Sequence, residues 1–468
     1  MMRIFTSRIF LILLLPLIVA TSCRKSDQLD TNTASKLSFS TDTVFFDTVF
    51  SSVGSVTKRL TVYNRNDGKV KISDILLAGG QSSDYRINID GISSLEAKDV
   101  EIPGHDSIFI FIRVTIDPND QNTPFIVRDS IVFLTNGNQQ DVKLMSWGQN
   151  ARFLKNEVIT GNQVWDSLKP YVIFGYARVD TSATLTIQAG TKIYFHWDSY
   201  LTISSDATLK ITGSREHPVR FQGDRLDDYY RDLPGQWKGI YLERGSKENE
   251  INYAIIRNGI FGLAVDSSAT TGNPMLELDN TMIYNTTSDA IYAYSTKILS
   301  SNCVLGNCGG AALFAEKGGY YEFRHLTIAN YWSESVRLTP SLYLRNFAYD
   351  SIGNQIPGPL EKAYFGNTII YGADEDEIAL DKLEGITFNY SFDHVLMRTS
   401  LDITQSPYTS CIANEDPLFM AADSANFHLD SLSPAIGKGI PMGIIYDLDG
   451  NLRGSPPDLG AYQWVPSR

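Results

Sequence analysis

The sequence is poor in cysteine, in histidine and in positive charge. Four cysteines occur among 468 residues, and the three beyond Cys23 have no spacing that predicts a disulfide framework or a zinc site. The six histidines are scattered, so neither a Ser-His-Asp set nor a His-activated cysteine is indicated. The formal net charge of −13 argues against nucleic acid and against an anionic membrane surface as electrostatic partners.

Phosphate-binding loops and metal-ligand clusters are also missing. Residues 447–450 begin like a calcium loop but lack its downstream bidentate glutamate. We therefore expect no cofactor and no metal, and a turn in which Arg453 pairs with a nearby aspartate. Cys303 falls at a core position of a repeat and is expected to be a buried thiol. A disulfide to Cys308 across the turn is the alternative.

Short β-branched strands are abundant, and helical periodicity is almost absent. Five segments between Tyr253 and Leu380 can be superimposed, with a period of roughly 22–27 residues until an insertion predicted at 340–362. Repeats that cannot bury a face alone indicate a solenoid, here a β-solenoid. One inward column holds Ile256, Ile283, Leu305, Ile328 and Ile370. A second column, predicted to be an inward ladder of side-chain amides, holds Asn258, Asn285, Asn307 and Asn330, with Gly372 in the fifth segment.

The same register places the outward side chains. Alternation within the second strand of each repeat turns Val336 and Leu338 inward with their equivalents and leaves Arg337 outward. Coils of a parallel solenoid stack about 4.8 Å apart, so residues at equivalent positions form continuous columns. We predict a strip on the outer surface made of Tyr292, Phe314 and Arg337, beside Tyr294 and Glu316. His325 aligns with three asparagines and is predicted to lie on the surface.

Aromatic rings with an arginine and carboxylates beside them suit a sugar chain, because flat rings cover sugar C–H faces while charged groups bind hydroxyls or uronates. We therefore predict that Tyr292, Tyr294, Phe314 and Arg337 bind a glycan. Asp266 and Glu316 would lie two coils apart, about 10 Å, near the upper end for an inverting carboxylate pair. They are the candidate catalytic residues, and the alternative is an ordinary solvent-exposed face.

The first 22 residues form an export signal, with Arg3 and Arg8 before an apolar run too short to span a bilayer. Cys23 follows small residues in a pattern that resembles the bacterial lipoprotein signal, in which this cysteine is lipidated. An ordinary signal peptide with an incidental cysteine is the alternative. The resemblance implies a protein anchored in the cell envelope, in the outer membrane, that contacts the membrane through the lipid only. Residues 23–35 read as a flexible tether.

Two structural domains are predicted after the tether. Residues 36–150 contain about seven short strands separated by Gly, Asn and Pro turns, which predicts a β-sandwich, and the run VYNRNDGKVKISDILL resembles immunoglobulin-like domains of exported bacterial proteins. Residues 151–411 contain LTIQAGTKIYF, PVRF and GQWKGI, which resemble exported right-handed parallel β-helix proteins of Bacteroidetes-type bacteria, with a pectate-lyase-like fold. Residues 412–468 resemble the closing segment of those proteins and are predicted to cap the exposed edge of the last coil.

The predicted fold class is therefore all-β, a sandwich followed by a right-handed parallel β-helix. The sequence motifs of pectate lyases and polygalacturonases are not found, which favours a non-catalytic envelope lipoprotein that binds glycan or serves in surface display. The alternative is a polysaccharide lyase or glycoside hydrolase acting on an acidic polysaccharide. Between two coils, residues 224–233 are predicted to be a solvated loop or a wall over a binding groove. No pattern predicts an oligomeric state.

Overall fold

The computed structural model describes residues 26–118, 122–227 and 229–466. The predictions for the export signal and for Cys23 lie outside these residues. The chain divides into two compact units, one ending at Asn150 and the other beginning at Ala151. Strands dominate both units, and the described helices are the two 3-10 turns Gly80–Ser82 and Ala422–Ser424. The predicted all-β fold class is confirmed. Within the described residues no helix has the length and hydropathy needed to cross a bilayer.

The first unit is made of two β-sheets that share one apolar core. Its strands are β1 (Ser26–Leu29), β2 (Ser38–Phe39), β3 (Thr43–Phe50), β4 (Lys58–Asn64), β5 (Gly68–Leu77), β6 (Tyr85–Ile89), β7 (Ile92–Ser93), β8 (Glu96–Ile102), β9 (Asp106–Val114), β10 (Phe125–Thr135) and β11 (Asn138–Gln149). One sheet has the order β1-β5-β10-β11-β3 with β8 on β5, and the other has the order β2-β4-β9-β6-β7. Alternation along β9 shows why they pack, because Ile108, Ile110 and Ile112 point into the core between polar or aromatic neighbours.

The second unit is a parallel β-helix. Its first strands are β12 (Arg152–Ile159), β13 (Asn162–Trp165), β14 (Tyr171–Val179), β15 (Thr184–Gln188), β16 (Lys192–Phe195), β17 (Tyr200–Ile203), β18 (Thr208–Thr212), β19 (Val219–Gly223), β20 (Gly239–Leu242), β21 (Asn249–Asn252), β22 (Ala254–Arg257), β23 (Leu263–Val265) and β24 (Leu276–Asp279). The following strands are β25 (Met282–Thr286), β26 (Ile291–Ser301), β27 (Val304–Cys308), β28 (Leu313–Arg324), β29 (Thr327–Asn330), β30 (Leu342–Arg345), β31 (Phe347–Tyr349), β32 (Gln355–Pro357), β33 (Leu360–Gly372), β34 (Ile378–Asp381), β35 (Phe388–Met397), β36 (Tyr408–Thr409), β37 (Ile412–Ala413), β38 (Phe419–Ala421) and β39 (Asn426–Leu429).

Three faces run along this solenoid. Face A holds β17, β20, β23, the first halves of β26 and β28, then β30 and β34. Face B holds β18, β21, β24 and the second halves of β26 and β28, followed by the first halves of β33 and β35. Face C holds β19, β22, β25, β27, β29 and the second halves of β33 and β35. All pairings among these strands are parallel, as predicted.

The predicted repeat register is confirmed on face C. Backbone pairing joins Ile256, Ile283, Leu305, Ile328 and Ile370 in one column, and all five are fully buried. The asparagine column follows at the next corner, where three of its members have left-handed backbone, which asparagine tolerates well (Asn258, Asn285 and Asn307). Asn285 Nδ2 donates to Asn258 Oδ1 at 2.8 Å, but the amide ladder ends there. Asn330 instead accepts the backbone N–H of Cys308 at 2.8 Å.

The C-terminal tail packs along the side of the solenoid. Its Phe427, Leu448 and Tyr462 join Val304 and Ala329 of face C in a buried apolar cluster. The last coil is covered instead by a segment before the tail, whose Leu401, Ile403 and Tyr408 pack against the solenoid core. The predicted closure of the last coil by the tail is therefore corrected. The tail packs against face C across several coils.

Two side chains at the contact between this tail and the solenoid differ from their predictions. His325 is fully buried because the tail covers its corner, so its predicted surface position is wrong. Its Nδ1 donates to Gly460 O at 3.3 Å and its Nε2 accepts from Asn367 Nδ2 at 3.0 Å, as a neutral imidazole can. Arg453 donates to Asn302 Oδ1 at 2.7 Å rather than pairing with an aspartate as predicted. Burial lowers the pKa of this guanidinium to about 10.

The thiols behave as core residues. Cys303 and Cys308 are free and fully buried, so the alternative of a disulfide between them is wrong. Burial raises the pKa of each thiol to about 12. A thiol with such a pKa is protonated at neutral pH and is a poor nucleophile.

His325 should make the stability of the second unit depend on pH. Burial and the nearby Arg453 lower its pKa to about 3, against 6.5 in an unfolded chain. As pH falls below 6.5, the unfolded state binds a proton at His325 that the folded state does not bind. The free energy of unfolding therefore falls by up to about 1.4 kcal/mol per pH unit down to about pH 3. The change His325→Asn, which matches Asn302 and Asn367 of the same column, should remove this dependence.

Denaturant unfolding at pH 7.5, 5.5 and 4.5 measures the effect, with His105→Asn on the surface of the first unit as the control. The free energy of unfolding of the control should fall between these pH values as in the wild type. Identical pH dependence of His325→Asn and the wild type would contradict the prediction.

Candidate functional site

Face A carries a continuous strip of aromatic and charged side chains. Backbone pairing stacks Tyr292 on Phe314 and Phe314 on Tyr343, and places Tyr294 against Glu316 and Arg345 against Asp381. We call these seven residues, with Tyr241 two coils before Tyr292, the face A strip. Neighbouring residues in each strand point inward and are fully buried, namely Leu263, Val265, Ile291, Ala293, Leu313, Ala315, Leu342 and Leu344. Strand alternation therefore fixes which side chains the strip presents.

The structure corrects the predicted place of Arg337. Residues 331–341 form a loop outside the strands, and the coil resumes only at Leu342. The predicted inward positions of Val336 and Leu338 are therefore wrong, and these side chains are 82% and 89% exposed. Tyr343 and Arg345 take the positions assigned to Arg337 and the residue two further on. The insertion begins earlier than the predicted 340–362, and a second excursion follows as the hairpin of β31 and β32.

Arg337 anchors that loop from within. Its guanidinium donates to both carboxylate oxygens of Glu377, at 2.8 and 2.7 Å, and also lies 2.9 Å from Asp374. The side chains of Arg337 and Glu377 are 3% and 0% exposed. A bidentate ion pair at this depth is a structural contact, and Arg337 does not contribute to the face A strip.

The rings of the strip lie in close contact. Tyr292 meets Phe314 edge-on, with centroids 5.6 Å apart, and Phe314 stacks on Tyr343 at 4.7 Å. The Arg345 guanidinium lies 5.0 Å from the Phe314 ring and 5.4 Å from the Tyr343 ring. This packing makes the strip a preorganised surface rather than a set of independently mobile side chains.

Polar contacts hold the strip in place. Glu316 accepts a hydrogen bond from the Tyr292 hydroxyl through one carboxylate oxygen and forms an ion pair with Arg345 through the other. The Tyr343 hydroxyl donates to Asp381 at 3.1 Å. Burial, reinforced by Glu316, raises the pKa of Tyr292 well above its usual value. Tyr292 is therefore a hydrogen-bond donor across the physiological pH range.

A depression of about 640 Å³ opens at one end of the strip. It is lined by residues from four coils, including Tyr241, Glu243, Phe261, Asp266, Ser288, Asp289, Tyr292, Tyr294 and Phe314. Aromatic rings and carboxylates thus converge on one concavity. Four of these residues, Asp266, Tyr292, Tyr294 and Phe314, were predicted from the sequence. Asp289 and Ser288 were not, because they belong to a turn rather than a strand.

Asp289 is the carboxyl group of this depression whose pKa is displaced. Its side chain is buried, and burial together with the charge of Glu316 raises the pKa of Asp289 to about 6. A hydrogen bond from the backbone N–H of Ala311, 2.7 Å long, opposes the shift without cancelling it. Asp289 is thus partly protonated near neutral pH, which is the state required of a general acid.

The two carboxylates proposed from sequence have different surroundings. Asp266 lines the depression, with one oxygen accepting the backbone N–H of Ser267 at 2.5 Å. Glu316 lies two coils further on, as the register predicted, but both of its oxygens are engaged by Tyr292 and Arg345. Glu316 therefore positions the strip and is a poor candidate for proton transfer.

The lining of the depression is acidic. It contains the carboxylates of Glu243, Asp266 and Asp289 and no lysine or arginine among its described residues. Across the three described ranges, no group of three His, Cys, Asp or Glu side chains could hold a metal ion. The loop at 224–233 packs on the asparagine corner, where Arg231 O accepts from Asn258 at 2.7 Å. None of its described residues lines the depression, so its predicted role as a wall is not supported.

Comparisons with known proteins agree with the β-helix. A family model described as a pectate-lyase-like β-helix domain matches residues 157–258. The match ends before most of the face A strip, and Tyr241 is the strip residue inside it. No curated protein sequence matches the chain.

Similar solved structures are distant. A GH87 α-1,3-glucanase catalytic unit from Streptomyces thermodiastaticus is 8% identical, over 72% of this chain and 75% of that one, with a TM-score of 0.30. A family 123 glycoside hydrolase from Clostridium perfringens is 13% identical, with a TM-score of 0.19. A Porphyromonas gingivalis protein of unknown function is 9% identical, with a TM-score of 0.18. The alignments with these two cover 27% and 28% of this chain, but 30% and 60% of theirs, and no function follows from them.

The buried pair under the loop at 331–341 should be essential for stability. The change Glu377→Gln removes the buried bidentate carboxylate of Arg337 and leaves the half-exposed Asp374 as its counter-charge, so the free energy of unfolding should fall by about 3 kcal/mol. Glu375→Gln, which removes an exposed carboxylate two residues away, is the matched control and should change it by less than about 0.5 kcal/mol. Urea denaturation of both variants measures the difference, and equal stabilities would refute the structural role of Arg337.

Proposed function

We propose that the protein is a lipid-anchored glycan-binding protein of the bacterial cell envelope, with the face A strip as its binding surface. The observation that carries this proposal is the stack of Tyr292, Phe314 and Tyr343 on successive coils, partly exposed beside a concavity. Rings on a rigid β-scaffold suit the apolar faces of successive sugars, and nearby carboxylates accept hydrogen bonds from hydroxyls. The lipoprotein-like signal that ends at Cys23 supports attachment in the outer membrane.

The ligand of this strip is a neutral glycan. Glu243, Asp266 and Asp289 line the depression, and Arg345 is already paired with Glu316. A uronate would meet uncompensated negative charge there, whereas a neutral sugar would find hydrogen-bond acceptors. In this proposal the sandwich at 36–150, which resembles immunoglobulin-like domains, lies between the anchor and the solenoid in the sequence. The strip itself needs no cofactor.

Binding should depend on the strip rings. Tyr292→Ala and Phe314→Ala should each weaken binding of the best neutral glycan by roughly tenfold or more, because each removes a central aromatic contact. A glycan array identifies that glycan, and isothermal titration calorimetry measures the variants. Tyr229→Ala, which removes an aromatic side chain 72% exposed elsewhere on the solenoid, is the control and should bind as the wild type does. Unchanged affinity in both strip variants would rule out this surface.

A second candidate function, hydrolysis of a glycan in the same depression, is favoured by Asp289. A carboxyl group with a pKa of about 6 is suited to protonate a leaving-group oxygen, and Asp266 is a second carboxylate of the same concavity. The pair would then act as acid and base across the bound sugar. The sequence motifs of known lyases and polygalacturonases are not found in the chain, so geometry alone supports this candidate.

New reducing ends would reveal such hydrolysis when neutral and acidic polysaccharides are incubated with the protein, whereas unsaturated ends that absorb ultraviolet light would indicate a lyase instead. If products form, Asp289→Asn should lower the rate by about 100-fold or more, and the wild-type rate should decline as pH rises above about 6 because the acid loses its proton. Asp198→Asn, at an exposed ion pair with Lys238, is the control. A broad screen without products would eliminate the hydrolase.

A further inference from the structure

The outer face of the five-stranded sheet in the first unit has an unusual composition. Phe109 and Phe111 of β9 point away from the sandwich core and are 39% and 40% exposed. The Arg59 guanidinium lies 4.9 Å from the Phe109 ring. Two partly exposed aromatic rings on one sheet face are apolar surface that a folded domain more often buries.

Two arginines lie directly opposite each other beside these rings. Backbone pairing of β6 with β9 joins Arg86 to Arg113, so their side chains leave the same face as nearest cross-strand neighbours. Like charges in this position are destabilising unless a counter-charge compensates them. Arg86 donates to the backbone carbonyl oxygen of Tyr85 at 2.7 Å. The Arg113 guanidinium makes no hydrogen bond or ion pair with any residue of the described ranges.

A large depression lies at the same place. Its volume is about 1140 Å³, and its lining includes Arg86, Arg113, Phe111 and Asn88 from the sheet face. Its lining also includes Gly80, Gln81, Ser94 and Leu95 from two connecting segments. Glu96 is the one carboxylate among the lining residues, so positive charge prevails locally in a protein whose net charge is −13.

We propose that this depression and the adjoining sheet face bind a carboxylate-bearing polysaccharide. The arginine fork donates two parallel hydrogen bonds that match a carboxylate, and neighbouring forks can bind two uronates of one chain. Phe111, beside them, offers an apolar surface to the sugar ring. Arg113 provides unused donors for the anion. The site is independent of the face A strip, whose lining is acidic and whose ligand is neutral.

Calorimetry on the full chain tests this assignment with an oligogalacturonate and with its carboxyl-reduced, neutral counterpart. The oligogalacturonate should bind, its affinity should fall as salt rises, and the reduced form should not bind. Arg86→Gln and Arg113→Gln should each weaken binding by roughly tenfold. Arg128→Gln removes an exposed arginine of the other sheet and is the matched control. It should bind as the wild type does, as should Tyr292→Ala on the face A strip.

Melting temperatures of the variants equal to that of the wild type establish that lost binding is not lost folding. Equal binding of the reduced oligosaccharide would overturn the proposal, since the carboxylate would then be irrelevant. A loss of affinity in Arg128→Gln as large as that in Arg113→Gln would show that binding depends on general positive charge and not on this site. Loss of binding in Tyr292→Ala would show that the oligogalacturonate binds at the face A strip instead. Equally tight binding of poly-glutamate would show that the surface recognises acidic polypeptides instead.

Discussion

Parallel backbone pairing between successive coils is the constraint on which the second unit depends. Each coil hydrogen-bonds to the next in a fixed register, so a residue at one position lies about 4.8 Å from its equivalent in the next coil. An inward position must then be apolar in every coil, as the column from Ile256 to Ile370 shows. An outward position does not have to be apolar, and side chains at equivalent outward positions of successive coils form a continuous surface. The ring stack of the face A strip is a direct product of this geometry.

The regular part of this arrangement could be predicted from sequence because it is periodic. Ile283 and Tyr292 could be placed by comparing segments a few tens of residues apart, and their partners in neighbouring coils are those that the comparison gave. Arg337 could not be placed in the same way. An insertion has no period, and the alignment of VRL with the strands of other repeats is as good as that of the true strand LYLR. Only the burial of Glu377, distant in sequence, shows why Arg337 turns inward.

Contacts of high sequence separation explain the remaining differences. His325 belongs to a column that would be exposed if the solenoid stood alone, and Gly460, far along the chain, covers it. Nothing local to residue 325 encodes that contact. Asp289 is similar, because its pKa depends on burial by neighbouring coils and on the charge of Glu316 rather than on its place in a turn. The strand-forming pattern predicts which residues stack, whereas burial in corners and beneath the tail is decided by the tertiary structure.

Electrostatics separates the two surfaces more sharply than shape does. Both offer aromatic rings on a β-sheet, which every saccharide can use, so the rings alone cannot select a ligand. On face A the single arginine of the strip is neutralised by Glu316 and the depression is lined by carboxylates, which penalises an anion. On the sandwich sheet, Arg86 and Arg113 stand together with one carboxylate among the lining residues, which favours an anion. In the two proposals, face A takes neutral segments of a polysaccharide and the sandwich sheet takes charged ones, because each surface disfavours the segment assigned to the other.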